Sequence, residues 1–460
     1  MKPASSGLTT LLRKYNVPGP RYTSYPTVPY WAESPTEDQW IASVSEALDE
    51  SRGHGIGAAV YVHIPFCESL CTYCGCNTRI TRNHAVGDPY VDSVLKEWEL
   101  YVNRLAKGIT VGELHLGGGT PTFLAPAELE RLVEGILART SRSPGSNEFS
   151  VEADPRVTTR EHLQTLSRLG FRRLSLGIQD FDPKVQDIVH RIQSPEEVRA
   201  IIDQARELGF DSVNYDLIYG LPFQTRASIE ATIGVVREHR PDRIAFYAYA
   251  HVPWIKPSQR RFTEADLPAG DEKRALYELG REMLEAVGYR EIGMDHFALE
   301  TDSLWKASLS GSLHRNFMGY TARGVSPLIG LGVSAIGDSW GAFAQNDKRV
   351  ETYQERLGRG ELPILRGHLL SQEDRVLRRH ILDLMTRFRT DWREPALTTE
   401  FLAGVPERLE ELSRDGLVEI GPSSCTVTPL GRPFLRNICM AFDARLARQA
   451  PSIRLFSQTV

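Results

Sequence analysis

The sequence is short of several things, and each shortage excludes something. No apolar run is long enough to cross a bilayer, and Met1–Thr10 hold no apolar signal core. The expectation is therefore a cytoplasmic chain with no membrane partner. Positive charge is not in excess: 54 Lys and Arg face 59 Asp and Glu, a formal net charge of −5. That excludes a nucleic-acid partner held by a broad basic surface, while leaving room for a local basic pocket. Cysteine is scarce, six in 460 residues, too few for a disulfide framework. No internal repeat or low-complexity tract is evident. What remains, 41% hydrophobic and 25% charged, is the balance of an ordinary globular enzyme. The length suits one large domain plus a smaller one.

From Ala58 to Ala250, short apolar runs alternate with helical patterns. The predicted strands are Ala59–Phe66, Glu113–Gly117, Phe149–Ala153, Arg173–Gly177, Ser212–Ile218 and Arg243–Tyr249. Their continuous apolar character predicts parallel strands buried on both faces. Asp88-Pro89 opens a helix whose apolar stripe is Tyr90, Val94, Trp98, Tyr101 and Leu105. Further helices are predicted from Pro126 to near Ala138, Thr159–Leu169, Pro195–Leu208 and Ala227–His239. Six βα-like units in series point to an α/β barrel or an open α/β sheet. Residues 1–57 read as a segment packing over the site, 58–368 as the catalytic domain, and 369–460 as a small, mostly helical C-terminal domain with strand-like runs at Leu417–Ile420 and Cys425–Val427.

In such folds ligands gather at the carboxyl ends of the strands. Those ends read Pro65-Phe66-Cys67, Gly117-Gly118-Gly119-Thr120-Pro121, Glu152-Ala153-Asp154, Gln179-Asp180 and Asp216. The strongest signal is Cys67-x3-Cys71-x2-Cys74, directly after a strand. Thiolates are the usual ligands of iron–sulfur clusters; three of them leave one corner of a four-iron cluster open to a small molecule. Zinc is the rival, but a structural zinc site wants four closed ligands, usually as two separated pairs. Cys76 stands only two residues after Cys74, an awkward spacing for one tetrahedral site. Buried free thiols are the plain reading of Cys425 and Cys439. The triple glycine is a tight turn when taken alone, and it is not a P-loop because no Gly-Lys-Ser/Thr follows.

The three-cysteine loop after the first strand, with Gly118-Gly119-Thr120-Pro121 after the second, resembles the radical S-adenosylmethionine superfamily. Within it, the chain resembles the oxygen-independent coproporphyrinogen III oxidases. The residues carrying this are Pro20-Arg21-Tyr22-Thr23-Ser24-Tyr25-Pro26, Tyr61-Val62-His63-Ile64-Pro65-Phe66-Cys67, Cys74-Gly75-Cys76-Asn77, Gly293-Met294-Asp295-His296-Phe297-Ala298, His314-Arg315-Asn316-Phe317 and Arg436-Asn437-Ile438-Cys439. The resemblance implies a partial (β/α)6 barrel, a [4Fe–4S] cluster on Cys67, Cys71 and Cys74, and two S-adenosylmethionine molecules. One would lie against Tyr61, Gly118, Glu152 and Ile336. The second would lie against Tyr73, Gly119, Thr120, Gln179, Arg191, Asp216 and Ala250. It implies hydrogen abstraction by a 5′-deoxyadenosyl radical and oxidative decarboxylation of two propionates of coproporphyrinogen III. It also implies a flavodoxin-like reductant and a monomer.

Some residues stay open at this level. A lone carboxylate is as often a helix cap or a solvated charge, and Tyr73 is equally a packing ring or a neighbour of adenine. Cys76 is assigned to the site as a residue that is not a cluster ligand. His296 and His314 are candidate substrate- or radical-handling residues, although a lone histidine is more often structural. Two rival functions follow from the same superfamily: a haem chaperone and a radical methyltransferase. Cys76, the Pro20–Pro26 segment and the absence of a His-Asn…Tyr-Trp element all favour the oxidase over the chaperone.

Overall fold

The computed structural model describes residues 6–142, 148–268, 270–449 and 456–459. Half of the Met1–Thr10 stretch, Met1–Ser5, lies outside them. By compactness the chain groups into two units. One gathers Met1–Ala32, Arg290–Gly324 and Leu370–Val460; the other holds Glu33–Tyr289 and Val325–Leu369.

The larger unit is built on a parallel sheet. Its strands are β1 (Ala58–Ile64), β2 (Thr110–Gly118), β3 (Glu148–Ala153), β4 (Arg173–Gln179), β5 (Ser212–Tyr219), β6 (Arg243–Ala248) and β7 (Leu328–Leu331). In space they run β6-β5-β4-β3-β2-β1-β7, so the chain winds one way from β1 to β6 and later returns to pair β7 with β1. The sheet continues beyond β7 in three antiparallel strands, Ile336–Asp338, Ala342–Asn346 and Ile364–Leu369. All six expected strands are present. β7 and the antiparallel extension have no counterpart in the expectations.

Each of β1 to β6 is followed by a helix: α1 (Gly87–Arg104), α2 (Pro126–Leu137), α3 (Arg160–Arg168), α4 (Pro195–Glu207), α5 (Arg226–His239) and α6 (Asp271–Ala286). Start signals are visible in the chain. Thr159, Ser194 and Thr225 each accept from the backbone N–H three residues on, which satisfies amides the helix leaves unpaired. The stripe of α1 buries Tyr90, Val94, Trp98 and Tyr101, each contributing on the order of 2 kcal/mol.

One expectation about the strands is corrected. They are not uniformly apolar. In β3, Phe149, Val151 and Ala153 are buried, while Glu148, Ser150 and Glu152 are only partly so. The same period of two runs through β4 and β5. One face is apolar and buried; the other is polar and turned toward a cavity.

The smaller unit has its own core, in which Tyr15, Tyr22 and Tyr25 pack with Leu377, Leu384, Phe434 and Phe442. A three-stranded antiparallel sheet of Arg389–Asp391, Ser424–Val427 and Val418–Gly421 belongs to it. Cys425 and Cys439 are buried free thiols of this unit.

Candidate functional site

The polar face of the sheet forms the wall of a cavity of about 490 Å³ at the carboxyl ends of the strands. The loop after β1 crosses it. That loop is closed at its base by a short parallel pair, with Arg79 N donating to Pro65 O at 2.7 Å and Thr81 N to Cys67 O at 2.9 Å. It is tied along its length as well. Thr72 N donates to Val189 O (3.0 Å), Gln259 Nε2 to Tyr73 O (3.1 Å) and Lys256 Nζ to Cys76 O (3.0 Å). From the sheet side, His63 Nε2 lies 2.9 Å from Asn77 O, and Tyr61 Oη lies 3.1 Å from His63 Nδ1. A loop this heavily pinned holds its thiols in fixed places.

Cys67, Cys71, Cys74 and Cys76 all line the cavity. Among the described residues, no three His, Cys, Asp or Glu side chains converge on a point that could hold a single metal ion. Each of the first three sulfurs has a polar neighbour. Thr120 Oγ1 is 3.3 Å from Cys67 Sγ, the Cys76 amide donates to Cys74 Sγ at 3.4 Å, and both Arg156 and Arg191 donate to Cys71 Sγ at 3.7 Å. The amide and the two guanidinium groups are donors aimed at sulfur, which suits thiolates at Cys74 and Cys71, and the Thr120 hydroxyl is able to donate to a thiolate at Cys67. Three thiolates spread around a cavity, with hydrogen-bond donors behind them, fit the corners of a [4Fe–4S] cluster.

The second strand end shows why glycine is required. Gly118 has φ +115°, and a Cβ there would sit 2.9 Å from the His63 ring; at Gly119 it would sit 2.7 Å from Pro65 O. The backbone passes against the cluster loop at a separation no side chain permits. The freed Gly118 N–H donates to Glu152 Oε2 at 3.1 Å. Glu152 also takes a 3.3 Å contact from His115 Nε2, whose ring stacks on Tyr61. Burial pushes the Glu152 carboxyl up, but His115 and the Gly118 amide outweigh it and hold it below its usual range. The opposite holds at Asp216, on β5. Burial and the nearby Glu152 charge push it up to about 6, against hydrogen bonds from Asn214 and Ser175. Two carboxyls on one wall thus differ in how readily they ionise.

Gln179 lies at the end of β4, where the register with β5 slips, and its φ is +67°. A left-handed non-glycine residue at a bulge on the cavity wall marks a side chain re-aimed by the backbone. Arg191 is buried. It donates to Gly177 O from Nε (2.9 Å) and Nη2 (2.6 Å) and to Asp154 Oδ2 from Nη1 (3.1 Å).

The structure therefore brings Cys67, Cys71, Cys74, Cys76 and Tyr73 to one cavity with Gly118, Gly119, Thr120, Glu152, Gln179, Arg191 and Asp216. Tyr61 does not line that cavity; its ring stacks on His115 and meets His63 edge-on. Ala250 offers its carbonyl to Gln259, which also serves Tyr73. Ile336 is on the strand after β7, opposite Gln345. His296 and His314 belong to the smaller unit. There burial and the charges of Arg315 and Arg21 push His296 down to about 3, so its ring is neutral near pH 7. Sequence reasoning passed over His63, His115 and Arg156. For the two histidines the signal was alternation, His63 two residues after Tyr61 and His115 two after Glu113; Arg156 lies beyond the end of β3, where no strand periodicity marks it.

This geometry defines a class. The radical SAM superfamily profile matches residues 61–236, which run from Tyr61 through the cluster loop, the triple glycine and Asp216. Among curated proteins, the oxygen-independent coproporphyrinogen III oxidase of Pseudomonas aeruginosa is 40% identical over 444 residues, 95% of each chain. That of Escherichia coli is 39% identical over 98% of each. The solved structure of coproporphyrinogen III oxidase from Escherichia coli superposes with a TM-score of 0.87 at 38% identity, covering 95% of this chain and 98% of that one. The chain belongs to the oxygen-independent coproporphyrinogen III oxidase family of radical SAM proteins.

Proposed function

We propose that this chain converts two propionate side chains of coproporphyrinogen III to vinyl groups without oxygen, giving protoporphyrinogen IX. The observation that carries this is identity of 39% and 40% to two such oxidases over nearly the full length of each chain. When bound, the cluster and S-adenosylmethionine supply one electron and a radical able to take hydrogen from the propionate. The chain's own residues hold and orient these groups. Cys67, Cys71 and Cys74 take the cluster and leave one corner open. Tyr61, Gly118, Glu152 and Ile336 are assigned to one S-adenosylmethionine. Tyr73, Gly119, Thr120, Gln179, Arg191, Asp216 and Ala250 are assigned to a second. The ionised Glu152, which already accepts from the Gly118 amide, supports the first assignment, because a carboxylate has further lone pairs to accept from an amine or a ribose hydroxyl.

Cys76 acts beside the cluster without binding it; its amide already serves the sulfur of Cys74. His296 and His314 are assigned to substrate or radical handling. A flavodoxin-like donor supplies the electron, and the protein works as a cytoplasmic monomer in three functional spans, 1–57, 58–368 and 369–460. Among the described residues no helix is long and apolar enough to cross a membrane.

The deciding experiment is an anaerobic assay of the reconstituted, reduced protein with coproporphyrinogen III. Vinyl product, carbon dioxide and 5′-deoxyadenosine are expected. Tight haem binding without vinyl product would favour the chaperone and sink this reading.

A further inference from the structure

Three cavity sulfurs receive three unlike neighbours, and the difference is one of charge. Cys67 meets a neutral hydroxyl and Cys74 a neutral amide. Cys71 alone meets two guanidinium groups, those of Arg156 and Arg191 at 3.7 Å each. Both belong to one ionic cage around Asp154. Arg156 grips its carboxylate with Nε (2.9 Å to Oδ1) and Nη2 (2.6 Å to Oδ2); Arg191 reaches it at 3.1 Å. Asp154 is itself buried and held by the Arg156 backbone N–H at 3.1 Å. Two positive charges and one negative leave a net positive charge beside one sulfur. Only Arg191 figures among the expected ligand contacts, and nothing in the reaction calls for Arg156.

Reduction potentials of iron–sulfur clusters respond to local charge and to hydrogen bonds on the sulfurs. Gaining an electron makes the cluster more negative, so a positive group behind a ligating sulfur favours the reduced state. Cys71, Asp154 and Arg191 are buried, so that effect is poorly screened. We propose that the Asp154–Arg156–Arg191 cage sets the cluster's one-electron reduction potential through Cys71, with Arg156 raising it and Asp154 restraining that rise. The inference rests on the cluster reading of Cys67, Cys71 and Cys74. Arg156 is a positioning and tuning group: it acts on the electron through the sulfur and touches no substrate.

The test is a mediated redox titration of the reconstituted full chain, followed by the EPR signal of the reduced cluster, with no substrate present. Arg156→Met is expected to shift the midpoint downward relative to the unaltered chain. Asp154→Asn, which keeps shape and removes the negative charge, is expected to shift it upward. Opposite signs are the signature, since a merely structural disturbance has no reason to reverse between the two. Midpoints unchanged in both, or moved in the same direction, would overturn the proposal. Should Arg156→Met lose the cluster, Arg156→Lys serves instead. It keeps the charge and loses the fork, so a smaller downward shift is expected; a shift upward would overturn the proposal. Iron and sulfide content of the unaltered chain separates the two levels. A chain that binds no four-iron cluster fails the cluster reading itself, whereas a chain that binds one with an insensitive midpoint fails only the cage.

Discussion

At the scale of single residues, the four cysteines of the loop divide by what their neighbours do. Replacing Cys67, Cys71 or Cys74 with Ser removes a sulfur that a donor already faces. Each change is expected to abolish the brown absorbance of the reconstituted protein and its turnover. Cys76→Ser is expected to keep the colour, because serine retains the backbone amide that donates to Cys74 Sγ and replaces the hydrogen-bonding thiol with a hydroxyl. Bleached Cys76→Ser would make Cys76 a ligand. Asp216 carries a second expectation. Its carboxyl is pushed from 3.8 up to about 6, chiefly by burial and then by Glu152. The protonated form is therefore the one the fold favours. Stability from this group is fully present below pH 3.8 and is lost as pH rises to about 6. Asp216 is only partly buried, and solvent screening reduces the cost to about 1–2 kcal/mol above that range. Asp216→Asn should raise the unfolding free energy at pH 7.5 by about that amount, while raising the KM for S-adenosylmethionine. Denaturant titration checks the first part and steady-state kinetics the second. A variant less stable than the unaltered chain at pH 7.5 would refute the charge argument.

At the scale of elements, the turn after β7 depends on one side chain of α1. Glu97 is buried, and three donors converge on it: Gly332 N at 2.8 Å, Asn346 Nδ2 at 2.7 Å and Tyr353 Oη at 2.6 Å. Beside it Tyr90 Oη donates to His63 O at 2.6 Å and accepts from Val333 N at 2.9 Å, so the same helix also fixes the strand that leads into the cluster loop. Burial pushes the Glu97 carboxyl from 4.5 up to about 7 against those donors. The sign is again that of a raised acid: stability present below pH 4.5 is lost as pH rises to about 7, on the order of 3 kcal/mol. Glu97→Gln cannot ionise, and its unfolding free energy is expected to lose that slope between pH 4.5 and 7. An unchanged slope would place the titration elsewhere.

These elements also show what a sequence discloses. The six strands and their helices were legible because apolar runs, caps and prolines are local signals. The cluster loop was legible because its spacing is local too. β7 was not: four residues, Leu328–Leu331, give no periodicity to read, and its partner β1 lies more than 260 residues earlier. The polar lining was hidden for another reason. Tyr61, His63, His115 and Glu152 sit among valines and leucines. Reading each run as continuously apolar suppressed the alternation that marks a cavity wall. Arg156 follows Asp154-Pro155 at a strand end, yet its value comes only from where Cys71 lies in space.

At the scale of the whole molecule, contiguity in sequence is a poor guide to what folds together. The smaller unit draws on three separated stretches, 1–32, 290–324 and 370–460. The first supplies three core tyrosines and also backbone partners for buried groups. Arg436 donates to Pro20 O at 2.9 Å and to Gly19 O, and Asn437 Nδ2 donates to Tyr15 O at 2.9 Å. Tyr22 Oη donates to Asp443 Oδ2 at 3.0 Å, and Tyr25 Oη accepts from Ala444 N at 3.1 Å. Removing residues 1–32 would open a cavity three tyrosines wide and take two of the backbone acceptors from the Arg436 guanidinium. Losing even one large aromatic from a core costs about 3–5 kcal/mol, and here three are lost together. The sum reaches the 5–15 kcal/mol that a domain has in total. A chain beginning at Glu33 is therefore expected to lose protection across residues 370–449 specifically. Limited proteolysis with mass spectrometry should find new cleavage there, in contrast to the resistant full chain. Equal resistance in the two would mean that residues 370–460 fold without the N-terminal tyrosines, and that the tyrosine-rich segment has some role other than completing this core.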